Sequence, residues 1–510
     1  MKKIKISIVV VVVVLIILLP YLYASWAHSG EFVFGGFLLN PLDGNSYLAT
    51  MFQGWSGSWK FTLPYSASRG EGAYIFLYYI FLGHLSRWLH ISLIVMYHSA
   101  RVVNSVILLI VLKKFFTGFL NYDSATIWKA FLLASLGSGL GWLFFSFLGI
   151  TSDFWVAEAF PFLSMYANPH FPLVLSLVLI SIMLAYKTDV RSRIVCVLTG
   201  VFSALILPFG FIIAALSLSA VVLWDWCEEK RFYWQRIIWL AIGGLPVVVN
   251  QIFVLQSHPI LSVWGQQNVT PSAHIVDVIV SFSPALPLAL IGGWIIFQDN
   301  DHPGRKLFIC WIVLGFVMMY MPISLQRRFM LGLFIPVVGL ALVCINRLEK
   351  SGHSIVRRSW WMVFILSLPT NILILFSGIH GIMTHDPAIY LTFGESEALE
   401  WIRSSTAEDA LILASPGIGN FLPAHTGRRV IYGHPFETVN AEIEKKQVID
   451  FYAGSISGEE ALYFLEERDV DFIFYGPRER TMGSIDPQNE FGLVFEEKDT
   501  LIFAVDKGHK

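Results

Sequence analysis

Runs of roughly 20 apolar residues recur along the chain, long enough to cross a bilayer as helices. The first is Ile6–Tyr23, and later ones cover 92–112, 127–148, 170–186, 194–208, 209–226, 237–256, 274–297, 307–322, 330–345 and 359–380. The pattern predicts about eleven transmembrane helices. Pro208-Phe209-Gly210 divides one long apolar stretch into two short spans, since Pro and Gly break a helix where the chain turns back. Residues 73–90 are apolar enough for a short span, but counting them as one would invert every later loop and break the charge bias, so an amphipathic helix lying in the outer interface fits better. Gly54-Trp55-Ser56-Gly57-Ser58-Trp59 just before it supplies tryptophans suited to headgroup level.

The pattern changes after Gly381. Strand-like runs at Ala410–Ala414, Val430–Tyr432, Asp471–Tyr475, Leu493–Glu496 and Leu501–Val505 alternate with helix-like Ser396–Ser404, Ala441–Ala453 and Gly458–Arg468. Such alternation predicts a small α/β domain over 382–510, outside the membrane, following a transmembrane catalytic region over 1–381. The expected fold class is thus a polytopic α-helical membrane protein with a C-terminal extracytoplasmic α/β domain.

Charge sets the orientation. Met1-Lys2-Lys3-Ile4-Lys5 precedes the first span, read as an uncleaved helix with its basic start inside. The loops then placed inside hold Lys113 and Lys114, Lys187, Arg191 and Arg193, Lys230, Arg231 and Arg236, Arg305 and Lys306, and Arg347, Lys350, Arg357 and Arg358. The expected site is the plasma membrane, with outer loops at 25–91 and 149–169. Composition agrees: of 510 residues, 55% are hydrophobic and only 14% charged, against about 25% in soluble domains. A net charge of −2 without a basic block excludes a nucleic-acid partner. The four cysteines fall in or beside spans, so no disulfide framework is implied.

Candidate chemistry gathers in the outer loops. Asn40-Pro41-Leu42-Asp43-Gly44-Asn45 places Asp43 shortly after the first span, although Asp-Gly-Asn is also ordinary turn chemistry. Asp153 and Glu158 are the acidic residues of the second outer loop, and Asn168-Pro169-His170 opens the next span. Ionised carboxylates at membrane level are costly, which makes them candidates for function. Gln326-Arg327-Arg328-Phe329 puts paired cations in a short outer loop against the charge bias. Their planar guanidinium forks suit phosphate oxygens. His98, Arg101 and Ser105 share one helical face. In the C-terminal region, Pro416-Gly417-Ile418-Gly419-Asn420 and Tyr432-Gly433-His434-Pro435-Phe436-Glu437 read mainly as structural loops, with His434, His98 and His170 as candidate substrate contacts. Asn268-Val269-Thr270 is a formal glycosylation sequon. Walker, His-Glu-x-x-His, Cys-x-x-Cys and Gly-x-Ser-x-Gly motifs are all absent from the sequence.

Taken together, the topology and the spaced carboxylates resemble the type C (GT-C) superfamily of membrane glycosyltransferases, nearest to the protein-mannosyltransferase and aminoarabinose-transferase-like branch. The resemblance implies a sugar transferred from a polyprenyl-phosphate donor to an acceptor glycan, lipid or protein, with inversion and with Asp43 as catalytic base. It implies acceptor or metal binding by Asp153 and Glu158, and donor phosphate binding by Arg327, Arg328 and Arg101. No cofactor is expected, with divalent Mg or Mn as the alternative. The chain departs from the mannosyltransferase pattern in carrying a lone Asp43 before Gly44, and Arg69-Gly70-Glu71-Gly72 where a Lys/His-Pro-Pro motif would stand. A lipid-linked glycan polymerase or ligase, or a glycolipid transporter or flippase, are the rival readings. The low number of acids within spans, and the want of repeated halves, weigh against transport.

Overall fold

The computed structural model describes residues 6–27, 30–68, 70–350, 359–483, 487 and 490–506. The basic start Met1–Lys5, Arg69, and the Arg357-Arg358 pair lie outside the described residues.

Every apolar segment expected to span is helical. Among the described residues seven helices are long and apolar enough to cross a membrane, or eight if one bent pair counts as a single span. That is fewer than the eleven segments read from hydropathy, for two reasons. The 274–297 segment is the bent pair, Ile275–Phe282 and Ala285–Phe297, turned by 81°. Three others form helices of only 16, 17 and 15 residues: His170–Ala185, Val190–Ile206 and Arg305–Met319.

Two compact units divide the chain. The first takes its described residues from Met1–Leu19, His98–Asn250 and Val269–Ser377. Its core centres on the helix Phe334–Lys350, which is buried continuously from Phe334 to Asn346. Loops assigned to the inner side meet at one end of this unit. Lys306 Nζ bonds Asp225 at 2.5 Å, Glu228 at 2.8 Å and Glu229 at 3.1 Å, and Arg236 pairs with Asp225 as well.

The second unit comprises Pro20–Tyr97, Gln251–Asn268 and Gly378–Lys510. The segment after the first helix therefore packs with the C-terminal residues. Strand β1 (Phe32–Phe34) pairs antiparallel with β2 (Tyr390–Thr392). A five-stranded sheet follows, from β3 (Leu411–Leu413), β4 (Arg429–Val430), β5 (Phe472–Tyr475), β6 (Gly492–Glu497) and β7 (Thr500–Ala504), in the order β4-β3-β5-β7-β6. The β4-β3-β5 part is parallel and β5-β7-β6 antiparallel, so this region is α/β as expected. Phe451, Tyr452, Phe464 and Phe503 fill its core. The Tyr452 hydroxyl donates to the Leu413 and Phe474 carbonyls, tying β3 to β5.

Two stretches read as turns or loops are helices instead. Pro41–Trp55 is a 15-residue helix, and Pro416–Thr426 an 11-residue one. In both, Pro occupies the first turn, where its missing N–H costs nothing and its fixed φ suits the helix. The 73–90 segment is helical over Leu77–Leu89, with Tyr79, Ile80, Leu82 and His84 buried. It packs closely on Pro41–Trp55 because glycine stands at the crossing on each side. A Cβ on Gly83 would lie 1.9 Å from the Met51 carbonyl oxygen, and one on Gly54 2.0 Å from that of Ile80.

Neither backbone can yield without shifting its whole helix. Gly83→Leu is expected to destabilise the second unit by about 1–3 kcal/mol, the usual range for overpacking. Tryptophan-detected thermal unfolding of the purified protein in detergent checks this, and an unchanged midpoint would refute the close crossing.

Candidate active site

Asp43 belongs to the first turn of the helix Pro41–Trp55, where the partial positive charge of the helix N-terminus favours a carboxylate. Asn40 Nδ2 donates to Asp43 Oδ2 at 2.5 Å, and Asn40 adopts the left-handed conformation at φ 47° that turns its side chain back. On the other carboxylate oxygen, Oδ1, stands His434 Nε2 at 3.3 Å. The pair is asymmetric in exposure: the His434 side chain is 3% exposed and that of Asp43 38%.

The tautomer of His434 follows from its second nitrogen. Nδ1 accepts the backbone N–H groups of Phe436 at 3.1 Å and Glu437 at 3.2 Å. Nδ1 must therefore be unprotonated, which places the ring proton on Nε2 and makes Asp43 the acceptor. Thr438 closes the turn, since its Oγ1 receives the N–H groups of Gly433 and His434. The turn is pressed against the helix Pro416–Thr426 at another glycine crossing, where a Cβ on Gly433 would lie 2.2 Å from the Gly419 carbonyl oxygen. Asn420 of that helix binds back to the Asp43 helix, accepting from Asn45 Nδ2 at 2.7 Å, while its carbonyl accepts the Tyr65 hydroxyl at 2.9 Å.

Glu437 completes this cluster. Its Oε1 accepts from Ser46 Oγ, and its buried Oε2 has no hydrogen-bond partner. Burial raises the Glu437 pKa above 4.5, the His434 ring and the Ser46 bond pull it down, and the Asp43 charge adds to the rise. Tyr65 is likewise pushed well above 10 by burial, then by Glu437 and Asp43.

The other residues singled out in the sequence lie in the first unit. Asp153 is fully buried, and four donors converge on its carboxylate: Thr151 Oγ1 at 2.6 Å, Thr370 Oγ1 at 2.9 Å, the Gly141 N–H at 3.1 Å and Ser281 Oγ at 3.2 Å. Burial raises its pKa, with the Thr151, Thr370, Gly141 and Ser281 bonds working against the rise. Glu158, also buried, faces the paired arginines, with Arg328 Nη1 at 3.3 Å and Arg327 Nε at 3.8 Å. The Arg327 guanidinium lies over the Trp155 ring at 4.6 Å, and its backbone N–H holds the Thr270 carbonyl. Thr270 of the sequon is buried there, its own N–H bonded to Ser324.

Arg101 is buried completely. Its Nη1 donates to the carbonyls of Tyr166 at 2.7 Å and of Met165 and Ile17 at 3.3 Å. Met165 and Tyr166 end the short helix Pro161–Ala167, so the cation sits on a helix C-terminus, where the dipole favours it. His170 is buried against Phe171, and His98 is half-buried one turn before Arg101.

No described group of three or more His, Cys, Asp or Glu side chains could hold a metal ion. The donor chemistry explains why: Asp153 is saturated by hydrogen-bond donors, and Glu158 faces two guanidinium groups.

The fold is that of the GT-C membrane glycosyltransferases. The archaeal oligosaccharyltransferase AglB of Archaeoglobus fulgidus, solved with an inhibitory peptide and a dolichol-phosphate, superposes with a TM-score of 0.57 at 13% identity, over 99% of this chain and 75% of its own. ArnT of Cupriavidus metallidurans, solved bound to undecaprenyl phosphate, gives 0.56 at 11% identity, over 98% of both chains. The mycobacterial arabinofuranosyltransferase AftD gives 0.50 at 13% identity, over 98% of this chain and 41% of its own. A further structure of the Archaeoglobus enzyme contains Zn and sulfate. No protein-family model and no curated protein matches the sequence.

Glu437 sets a pH signature for the second unit. Its raised native pKa means that the folded chain binds this proton more tightly than the unfolded chain does, so the associated stability is complete below pH 4.5 and is lost as pH rises through the native pKa. Glu437→Gln removes the titration. Thermal midpoints measured across pH should then decline less steeply with rising pH than in the wild type, and parallel curves would show that Glu437 titrates normally.

Proposed function

We propose that the protein is an inverting glycosyltransferase. It moves a sugar from a polyprenyl-phosphate donor to an acceptor hydroxyl on the outer face of the membrane. The observation that carries the reading is the placement of Asp43: a carboxylate on the first helix after the first apolar span, still 38% exposed, within a fold matched over nearly its whole length by ArnT. Two of the similar solved structures hold polyprenyl phosphates, dolichol-phosphate in AglB and undecaprenyl phosphate in ArnT.

In this reading Asp43 takes the acceptor proton as the acceptor oxygen bonds to the sugar C1. The C1–oxygen bond to phosphate breaks on the opposite face, and its electron pair leaves with the lipid phosphate. That leaving group is already a stable anion, so a general acid is unnecessary. Arg327 and Arg328 bind the phosphate. With Glu158 between them they retain one net positive charge, which grows in value as negative charge collects on the leaving oxygen. Glu158 orients the two forks rather than binding acceptor. Asp153, ringed by four donors, and Arg101, bound to three backbone carbonyls, hold the second outer loop in shape. The residues do not fit a divalent ion, and the mechanism includes no step through one.

Membranes containing the wild-type chain should transfer label from a panel of undecaprenyl-phosphate-linked pentoses and hexoses. Asp43→Asn is expected to lower turnover by about 10²-fold or more, the usual weight of a general base, while undecaprenyl phosphate binding persists. An Asp43→Asn protein with wild-type turnover would refute the base assignment.

Arg328→Ala acts differently. Losing a charge-assisted hydrogen bond worth ~1.5–3 kcal/mol should raise KM for the donor at least tenfold, with a smaller change in kcat. A KM equal to that of the wild type would remove Arg328 from the donor site.

A further inference from the structure

A carboxylate that acts as a base must be aimed and must stay ionised until the acceptor arrives. Asp43 stands near a helix N-terminus and partly open to water, with Asn40 bound to one of its oxygens. The second oxygen meets a group that arrives from 391 residues away in sequence, on a turn built to hold one ring in one tautomer.

We infer that His434 is the positioning residue of Asp43: a neutral imidazole whose Nε2–H clamps the base carboxylate toward the acceptor hydroxyl. The inference rests on the reading of Asp43 as base and deepens it. Four observations support a positioning role over a substrate contact. His434 is almost wholly buried, so it has little surface to offer a sugar. Both ring nitrogens are committed, Nδ1 to two backbone donors and Nε2 to Asp43. The ring is flanked by Tyr65 at 5.7 Å and Phe436 at 6.1 Å between centroids, which fix its plane. The titratable groups facing it are Asp43, Glu437 and Tyr65; burial lowers its pKa and the bond to Asp43 with the Glu437 and Asp43 charges raises it above 6.5, but a second proton on its ring would have to displace the Phe436 and Glu437 N–H groups.

The chemistry balances without a change at His434. The acceptor O–H proton passes to Asp43, the acceptor oxygen bonds C1, and the C1–phosphate electron pair leaves with phosphate. The Nε2–H remains where it was. A hydrogen bond of this kind is stronger to the carboxylate than to the carboxylic acid, so it keeps Asp43 ionised at lower pH. After the transfer the bond weakens, which favours return of the proton to water and resets the base.

The test uses the full chain in membranes with the same panel of undecaprenyl-phosphate-linked sugars. His434→Phe keeps the ring and removes the donor. It should lower kcat about 10- to 100-fold, leave donor KM within twofold, and move the acidic limb of the kcat/KM profile upward by about one pH unit. His434→Gln, whose amide N–H reaches a comparable distance, should restore most of kcat and return the limb toward its wild-type position. Should His434→Phe fail to fold, infrared titration of the carboxylates in His434→Gln and wild type, with the Asp43 band assigned by its loss in Asp43→Asn, keeps the inference open to refutation. It requires equal Asp43 pKa values in those two proteins. A His434→Phe enzyme with wild-type kcat and an unmoved limb would overturn the positioning role while Asp43→Asn remained inactive. Full activity in Asp43→Asn would instead overturn the base reading itself.

Discussion

A charge removed from water must find its partners inside the protein, and at membrane depth no solvent can substitute for them. Most of the ionised groups of the first unit follow from this constraint. Arg101 spends its guanidinium on backbone carbonyls at a helix end, Asp153 gathers four donors, and Glu158 faces two arginines. Most of these pairings join segments far apart in sequence. The polar residues that stand out against an apolar chain are thereby its cross-links. The segment 149–169, whose helices Ser152–Trp155 and Pro161–Ala167 are short, is held in shape by side chains that the hydropathy of the spans would not suggest.

Asp43 differs in kind from these groups. Asn40 and His434 bind it, it keeps more than a third of its side-chain surface, and it stands where a helix dipole favours its charge. Asp153 is fully buried among its donors, a contrast with Asp43 that their positions in the sequence do not reveal.

Much of the architecture was legible in the chain. Apolar length located the seven helices that, among the described residues, are long enough to cross a membrane, and the alternation after Gly381 located all five strands of the second unit's larger sheet within a few residues. The helices Pro41–Trp55 and Pro416–Thr426 were not legible, because their openings are rich in Pro, Gly and Asn, which locally favour turns. Tertiary contact decides otherwise: Gly419 is there to let the His434 turn approach, and Pro41 and Pro416 start helices instead of ending them. His434 itself carried only the signal of a polar residue in a Gly-Pro loop. Its partnership with Asp43 depends on the fold of the whole second unit, and nothing in the spacing of two residues so distant announces it.

That distance orders events during synthesis. The Asp43 helix emerges early, while the turn that completes its environment is made after nearly every membrane helix has been inserted. Until residue 434 has reached its place, the carboxylate lacks its imidazole. A nascent or truncated chain thus carries an unfinished acid, and the last quarter of the polypeptide acts as a completion signal for a group laid down at the start.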